Sequence, residues 1–395
     1  MSFNITLSGI NAINSQLDEI SNNIANTATT GFKSSRANFA SMYAGSQETG
    51  VEVASQTQNI ETGGSLVTTG RSLDAAIQGR GFFVSRDTDG SVLYSRVGIF
   101  NVDKTGYLVN SDGRRVQGYA MTPGSTALGA MGDLLIPNGQ VAAQASSRVS
   151  YMGNLSADWS VPAVTPFDKT NPQTFNSSVV STVYDSLGTQ HTLTQYFVKT
   201  GSNQVDVHYA FDGSDLATTS TLSFGTDGQL TAPAAPVTVA LGTPAGAAAL
   251  SVDVNYLGTT QFAGQTTTSA NSTDGYASGT FTGVALTEDG SIQAQYSNGQ
   301  KQTVGMLALA GFPNEGGLTP VSGTSWEASS KSGAPLYSTP GAGLAGKLVT
   351  GSLEQSNVNM TSELVNLMAA QSNYQANSKV ITAQNQMMQA LMQAV

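Results

Sequence analysis

Apolar positions near the start of the chain fall at Phe3, Ile10, Ile13, Leu17, Ile20 and Ile24, with spacings of 3, 4, 3 and 4 from Ile10 onward. That rhythm puts the side chains on one face of a helix, because residues three and four apart stack on the same side. At the other end Met360, Leu367, Tyr374, Ile381, Met388 and Val395 recur every seven residues, and Leu364 and Leu391 widen the stripe. A sustained seven-residue repeat is the pattern of a coiled-coil seam. Residues 11–30 hold no glycine, no proline precedes Pro123, and residues 352–395 hold neither, so nothing breaks either helix. Each helix is one-sided and lacks a local partner. The expectation is that the two pair with each other as a terminal coiled coil.

The middle of the chain changes period. Val205, Val207, Tyr209 and Phe211 alternate with Asp206, His208 and Ala210, and Val252, Val254 and Tyr256 alternate likewise. Period two is the mark of half-buried strands. Asp-Gly at 89, 112, 212, 227, 274 and 289, and Asn-Gly at 138 and 298, mark hairpin turns. Proline and Ser/Thr cluster over Val161–Ser178, which predicts a loop leading into a separate β domain. No internal repeat of fixed period is present. The predicted class is mainly β with a terminal α-helical coiled coil.

Composition narrows the function. The chain has 395 residues, with 16 basic against 26 acidic, a formal charge of −10. That length corresponds to two or three domains of about 150 residues. An acidic chain this poor in Lys and Arg is a poor partner for phosphate backbones, so no nucleic-acid partner is expected. There is no cysteine, hence no disulfide framework and no thiol chemistry. The helical ends are nearly uncharged: residues 1–32 carry only Asp18 and Glu19, and residues 364–395 only Lys379. A solvated helix face normally carries Lys and Glu. An amide-rich face suits packing against other copies or lining a neutral aqueous lumen, and lacks the cations of a membrane-surface helix. The first basic residue is Lys33, so no cleaved secretory signal is expected. The uncharged stretch Thr231–Val252 contains Pro233, Pro236 and Pro244, so no membrane insertion is expected.

Candidate chemistry is thin. Gly341-Ala-Gly-Leu-Ala-Gly346-Lys347-Leu348 matches G-x-G-x-x-G, but Leu348 stands where a phosphate-binding loop needs Ser or Thr. A flexible connector is expected there. Asp87-Thr88-Asp89-Gly90 resembles the opening of a calcium loop, but position twelve is Gly98 and not glutamate. A hairpin turn is expected there. His208 falls on the polar face of a strand and His191 in a polar turn; neither has a triad spacing to a serine. The expectation is no catalytic residue, no metal ligand and no cofactor.

Three blocks, in order, carry a resemblance. Ser21 to Lys33, with Asn22, Asn23, Ala25, Asn26, Gly31, Phe32 and Lys33, resembles the N-terminal signature of the bacterial flagellar rod and hook axial proteins. Arg71 to Ile77, then Gly79 and Gly81-Phe82-Phe83, Tyr94-Ser95-Arg96 and Gly98 continue it. Gly351 to Val358, with Asn357 and Val358, followed by Gln371 and Tyr374, is similar to the family's C-terminal signature. Ser372 stands where the family commonly has arginine, and Asn359 where it commonly has aspartate. Val183 to Gly188 and Tyr196 to Lys199, within an insert the shorter rod members lack, resemble the hook branch.

The resemblance implies a nested multi-domain layout, with two β domains and an inner helical domain. Residues 1–24 and 364–395 form an inner coiled-coil domain, and 25–70 and 358–363 are connectors. Residues 71–144 and 285–357 form a middle β domain, and 145–284 an inserted outer β domain. It implies a non-enzymatic subunit that polymerises into a flexible, curved, hollow tube. That tube joins rod to filament and transmits torque as a universal joint. The polymerisation seam is Ile10, Ile13, Leu17, Ile20, Ile24, Met360, Leu364, Leu367, Tyr374, Ile381, Met388, Leu391 and Val395. Implied partners are further copies of the chain, the flagellar rod, the hook cap, the hook–filament junction proteins and the flagellar export apparatus. The implied location is the extracellular flagellum, reached without a cleaved signal. The alternatives are a distal rod-like axial protein and a β-rich extracellular enzyme or binding module.

Overall fold

The computed structural model describes residues 2–45, 47–122 and 127–394, without the side chains at 2, 3, 44, 391 and 394. The chain divides into two compact units, Met1–Asn138 with Gly283–Gln295 and Lys301–Val395, and Gly139–Thr282 with Tyr296–Gln300. Strands predominate, with a long helix at each end: α1 (Ser2–Ala25) and α2 (Met360–Ala394).

In the first unit α1 runs without interruption, as its spacing predicts. Behind it β1 (Ser35–Ala44) and β2 (Gln47–Gln58) form an antiparallel hairpin, with Ser35 opposite Gln58 and Ala40 opposite Glu52. The sequence marks residues 25–70 only as a connector, and this hairpin is a correction. Its cross-strand contacts are largely polar, which hydrophobic alternation does not register: Asn38 Nδ2 donates to Ser55 Oγ at 3.1 Å and to Thr57 Oγ1 at 3.0 Å. Likewise residues 360–363, expected as connector, already belong to α2. The hairpin lies along α1, where Ser8 Oγ accepts from Val51 N at 3.1 Å and Glu19 Oε1 from Gln56 Nε2 at 2.8 Å.

The β core of this unit starts with β3 (Leu66–Thr68), β4 (Ala75–Gln78), β5 (Phe82–Arg86) and β6 (Val92–Ser95). Asp87–Gly90 turns β5 into β6, with Gly90 at φ +92°, so the calcium-like stretch is a hairpin turn. Phe82, Val84, Tyr94, Phe312 and Trp326 build the core, Phe82 edge-on to Trp326 at 5.5 Å and Tyr94 edge-on to Phe312 at 4.8 Å. Two late strands return to early ones: Lys347–Thr350 pairs with β4, and Ser352–Glu354 with β3. These pairings bring the start of α2 back beside the end of α1.

The second unit is a sandwich of two sheets. One has the order Val237–Gly242, Leu250–Asn255, Arg148–Asn154, Thr267–Thr273; the other runs from Ser177–Tyr184 through Gln190–Gly201, Gln204–Phe211 and Ser214–Phe224 to Leu230–Ala232. Alternate residues point inward and fill the space between, including Val205, Val207, Tyr209, Val252, Val254 and Tyr256. Their polar tips are satisfied: Tyr209 and Tyr256 hydroxyls lie 2.9 Å apart, and Tyr256 donates to Gln195 Oε1 at 2.6 Å.

Three local expectations need correcting. Val161–Ser178 does not lead into this unit, which already contains Arg148–Asn154; it is an internal loop carrying the short 3₁₀ turn Pro172–Thr174. His191 lies not in a turn but in the strand Gln190–Gly201. Asp274-Gly275 and Asn138-Gly139 are not positive-φ hairpin turns: Asp274 Oδ1 accepts from the backbone N–H groups of Ser147 and Arg148 at 2.8 and 2.9 Å, and Asn138-Gly139 lies between Met131–Asp133 and Arg148–Asn154, which do not pair.

Candidate assembly surface

α1 and α2 lie antiparallel, with Asn23 Nδ2 donating to Glu363 Oε1 at 3.2 Å near one end and Gly9 against the Asn377 side chain farther along. Ile13, Ile20 and Ala370 are buried between them, flanked by half-buried Leu17, Ile24 and Leu367. Ile10 and Ile381 are also half-buried. Four further positions of the α2 stripe are uncovered: Met360 and Leu364 are each 45% exposed, Tyr374 38% and Met388 62%.

Helical geometry accounts for the split. A straight helix drifts about 20° per heptad against a strict seven-residue repeat, so the stripe swings across the contact line as it descends. Met360 and Leu364 lie to one side of the line defined by Ala370. Met388 lies on that line, but below the first turn of α1. Met368, Met387 and Met392, none in the seven-residue series, are exposed as well. Val395 and the side chain of Leu391 lie outside the described residues.

The signature residues do different work. Lys33 is fully buried, its Nζ 2.6 Å from Glu354 Oε1 and 2.8 Å from the Thr62 carbonyl. Glu354 Oε2 meets Arg96 Nη1 at 3.3 Å, also buried, and Oε1 accepts from Gly64 N at 3.0 Å. Burial pulls the Lys33 ammonium below its ordinary value, against the upward pull of Glu354. Burial likewise lowers the Arg96 guanidinium. Glycines are required around this cluster: a Cβ on Gly64 would stand 1.8 Å from the Gln355 carbonyl, and Gly31, at φ +70°, donates to the Glu354 carbonyl at 2.8 Å.

The asparagines tie chain segments together. Asn23 is buried; its Oδ1 accepts from Ser35 N at 2.9 Å and its Nδ2 donates to Ser35 O at 2.8 Å, joining α1 to β1. Asn357 Oδ1 accepts from Ser34 N at 2.8 Å, and Nδ2 donates to the carbonyls of Asn59 and Thr62 at 2.8 and 3.0 Å. Asn26 donates back to Asn22 Oδ1 at 2.9 Å and closes the end of α1. Phe32 is half-buried and its carbonyl accepts from Asn357 N at 3.3 Å. Gly81 holds φ +115° before Phe82 and Phe83, both core residues. Val358 is half-buried, whereas Ala25, Gln371 and Tyr374 are exposed. Arg96 and Glu354 stand inside the signature blocks but not among the site residues singled out from them. The available signal was a lone charge at the end of an otherwise uncharged strand, Arg96 just past Val92–Ser95 and Glu354 closing Ser352–Glu354.

The chemical decoys resolve simply. Gly341 to Gly346 is a hydrogen-bonded turn rather than a flexible connector: Gly341 N donates to Gly346 O at 2.9 Å and Gly346 N to Arg80 O at 2.7 Å. A strand and not a helix follows it, so it presents no helix N-terminus to a phosphate. His191 sits between two carboxylates, Nδ1 2.6 Å from Asp212 and Nε2 3.3 Å from Asp185. His208 stacks on Phe167 with ring centroids 4.2 Å apart. Among the described residues no group of three or more His, Asp or Glu side chains could hold a metal ion, and no helix is long and apolar enough to cross a membrane.

Comparison with known proteins gives consistent matches. Residues 76–157 match the family "Flagellar hook protein FlgE/F/G D1 domain", and residues 154–276 "Flagellar basal body protein FlaE D2 domain". Residues 349–394 match "Flagellar basal body rod FlgEFG protein C-terminal". The chain is 40% identical over 402 residues to the flagellar hook protein FlgE of Salmonella typhimurium, covering 99% of each. It is 40% identical over 400 residues to that of Escherichia coli K12, again covering 99% of each. The crystal structure of Helicobacter pylori flagellar hook protein FlgE2 shares the fold, with TM-score 0.52 and 15% identity, over 73% of this chain and 100% of the other.

Proposed function

The chain belongs to the flagellar hook protein family, and from that premise we propose that its helix pair, with the uncovered apolar face of α2, joins copies into the wall of a hollow tube. It is a structural subunit of the bacterial flagellar hook, and that family is not an enzyme family. The observation that carries the polymer reading is the stretch of α2 beyond α1, where Met387, Met388 and Met392 are 62–72% exposed. Contiguous exposed apolar surface of this kind marks an interaction site. The terminal helices act as a coiled coil completed by neighbouring copies, through the thirteen seam residues from Ile10 to Val395.

The rest of the proposal follows from that contact. A head-to-tail contact that does not close generates a helical assembly. Residues 1–24 and 364–395 are its inner layer, 71–144 and 285–357 its middle layer, and 145–284 its outer layer. Sparse charge and polar β surfaces let many weak contacts slide as a curved tube rotates, which suits a universal joint. Rod, cap, junction proteins and export apparatus are the partners such a tube needs, and its place is outside the cell. The test is electron microscopy of the concentrated full chain. Hollow tubes whose reconstruction puts the helices round the channel are expected; particles that stay monodisperse, or tubes with the helices outermost, overturn the proposal.

A further inference from the structure

Asp18 and Lys379 are isolated opposite charges on nearly uncharged helices. Residues 1–32 carry only Asp18 and Glu19, and residues 364–395 only Lys379. Glu19 is engaged by Gln56. Asp18 and Lys379 are exposed, and neither has an ion-pair partner among the described residues.

Their directions follow from the helices. At 3.6 residues per turn, Asp18 points about 160° away from the line through Ile20, which faces α2, and Lys379 about 180° from Ala370, which faces α1. The two charges therefore look outward from opposite sides of one helix pair and cannot meet within a copy.

Their heights follow from the register. Gly9 lies level with Asn377, and Asn23 with Glu363. On that register Lys379 is level with Leu7, and Asp18 with Met368. Eleven residues separate the two levels, about 16 Å at 1.5 Å per residue.

We propose that Asp18 of one copy pairs with Lys379 of the next, and that this pair sets a stagger of about 16 Å along the helix axis between adjacent copies. The inference rests on the polymer reading and specifies its contact. Unstaggered stacking of the same faces would put the Asp18 carboxylate against Met368, which is 62% exposed on the face of α2 that carries Lys379. A carboxylate loses hydration there and gains no partner. Amide-covered faces select register weakly, so one lone pair of opposite charges, with a penalty for the flat alternative, decides it. A staggered heterologous contact also favours a helical rise over a closed ring.

Charge reversal tests the pair in the full chain. Asp18→Lys and Lys379→Glu should each raise the concentration needed for tubes by about tenfold, and the two together should restore it to within about twofold. Single reversals without effect, or a double variant no better than the singles, overturn the pair. Geometry supplies a second readout. The chain has no cysteine, so a short bis-maleimide cross-linker reports only on introduced pairs. Asp18→Cys with Lys379→Cys should give a ladder of covalent multimers from tubes. Asp18→Cys with Met368→Cys should not. A ladder from the Met368 pair alone, or from neither, overturns the stagger. Tubes lacking the Lys379 cross-link refute only this inference, whereas absence of tubes from the unaltered chain refutes the polymer reading beneath it.

Discussion

Lys33 and Glu354 are 321 residues apart in sequence, yet they form a 2.6 Å ion pair with both side chains essentially removed from solvent. Around it the end of α1, the Thr62 turn and the strand before α2 converge, so the pair fixes how the two ends of the chain emerge together. Arg96 shares the same carboxylate. Glu354→Gln would therefore leave two buried cations without their paired anion. Removing one partner of a buried pair costs about 3–5 kcal/mol. Trp326 lies in the core of the first unit and Trp159 packs against the core of the second. In a Trp159→Phe background, urea unfolding followed by fluorescence reads the first unit alone and should show that loss. An unchanged midpoint would remove the pair from the account.

Close backbone approach makes its own prediction. Gly64→Ala places a methyl group against the Gln355 carbonyl, and overpacking of this kind costs about 1–3 kcal/mol. The same fluorescence assay should report it. Ala tolerated at full stability would mean that the Gly64 turn is not held against the strand that carries Glu354.

The second unit should respond to pH through its two histidines, with opposite signs. Burial pulls His191 down, but hydrogen bonds and charge from Asp212 and Asp185 outweigh it and hold its pKa above the ordinary value. Its contribution is complete below about pH 6.5 and is lost as pH rises through the raised value. His208, lowered chiefly by burial, costs stability as pH falls below about 6.5 through its lowered value. Urea midpoints read from Trp159 in a Trp326→Phe background should peak near pH 6.5. His191→Asn should flatten the alkaline limb and His208→Asn the acid limb. An alkaline decline that survives His191→Asn would contradict this assignment.

Assembly and folding should separate at Met388. It touches nothing that holds α1 to α2, so Met388→Glu should leave each unit's unfolding free energy, measured in urea, within about 0.5 kcal/mol of the original. In a tube it would place a charge in an apolar contact. The concentration needed for tube growth, measured by sedimentation, should rise at least about tenfold, the equivalent of about 1.4 kcal/mol. Unaltered growth would exclude this face from the contact.

How much of this was legible in the sequence depended on the kind of force involved. Ile13, Ile20 and Leu367 were legible because burial on one helix face leaves a periodic trace. The strands around Val207 and Val254 were legible for the same reason, at period two. The hairpin Ser35–Gln58 was not, because Asn38, Ser55 and Thr57 hold it by polar contacts that leave no apolar alternation. Arg96 and Glu354 were legible within the signature blocks but not as a buried cluster with Lys33, because a charge becomes a core residue only through partners distant in sequence. His191 looked like a turn residue because its neighbours are polar, yet Asp212 and Asp185 reach it from adjoining turns. Met388 was legible as a seam position but not as an uncovered one, since the length of α1 decides what α2 leaves bare.

The most direct measurement compares the full chain with one shortened to residues 26–359, which keeps Lys33, Arg96 and Glu354 but lacks both helices. Electron microscopy and sedimentation at equal concentration should show tubes from the full chain and only single particles from the shortened one, with both units still folded by their tryptophan fluorescence. Tubes of the same diameter from both would contradict the claim that the helix pair joins one copy to the next.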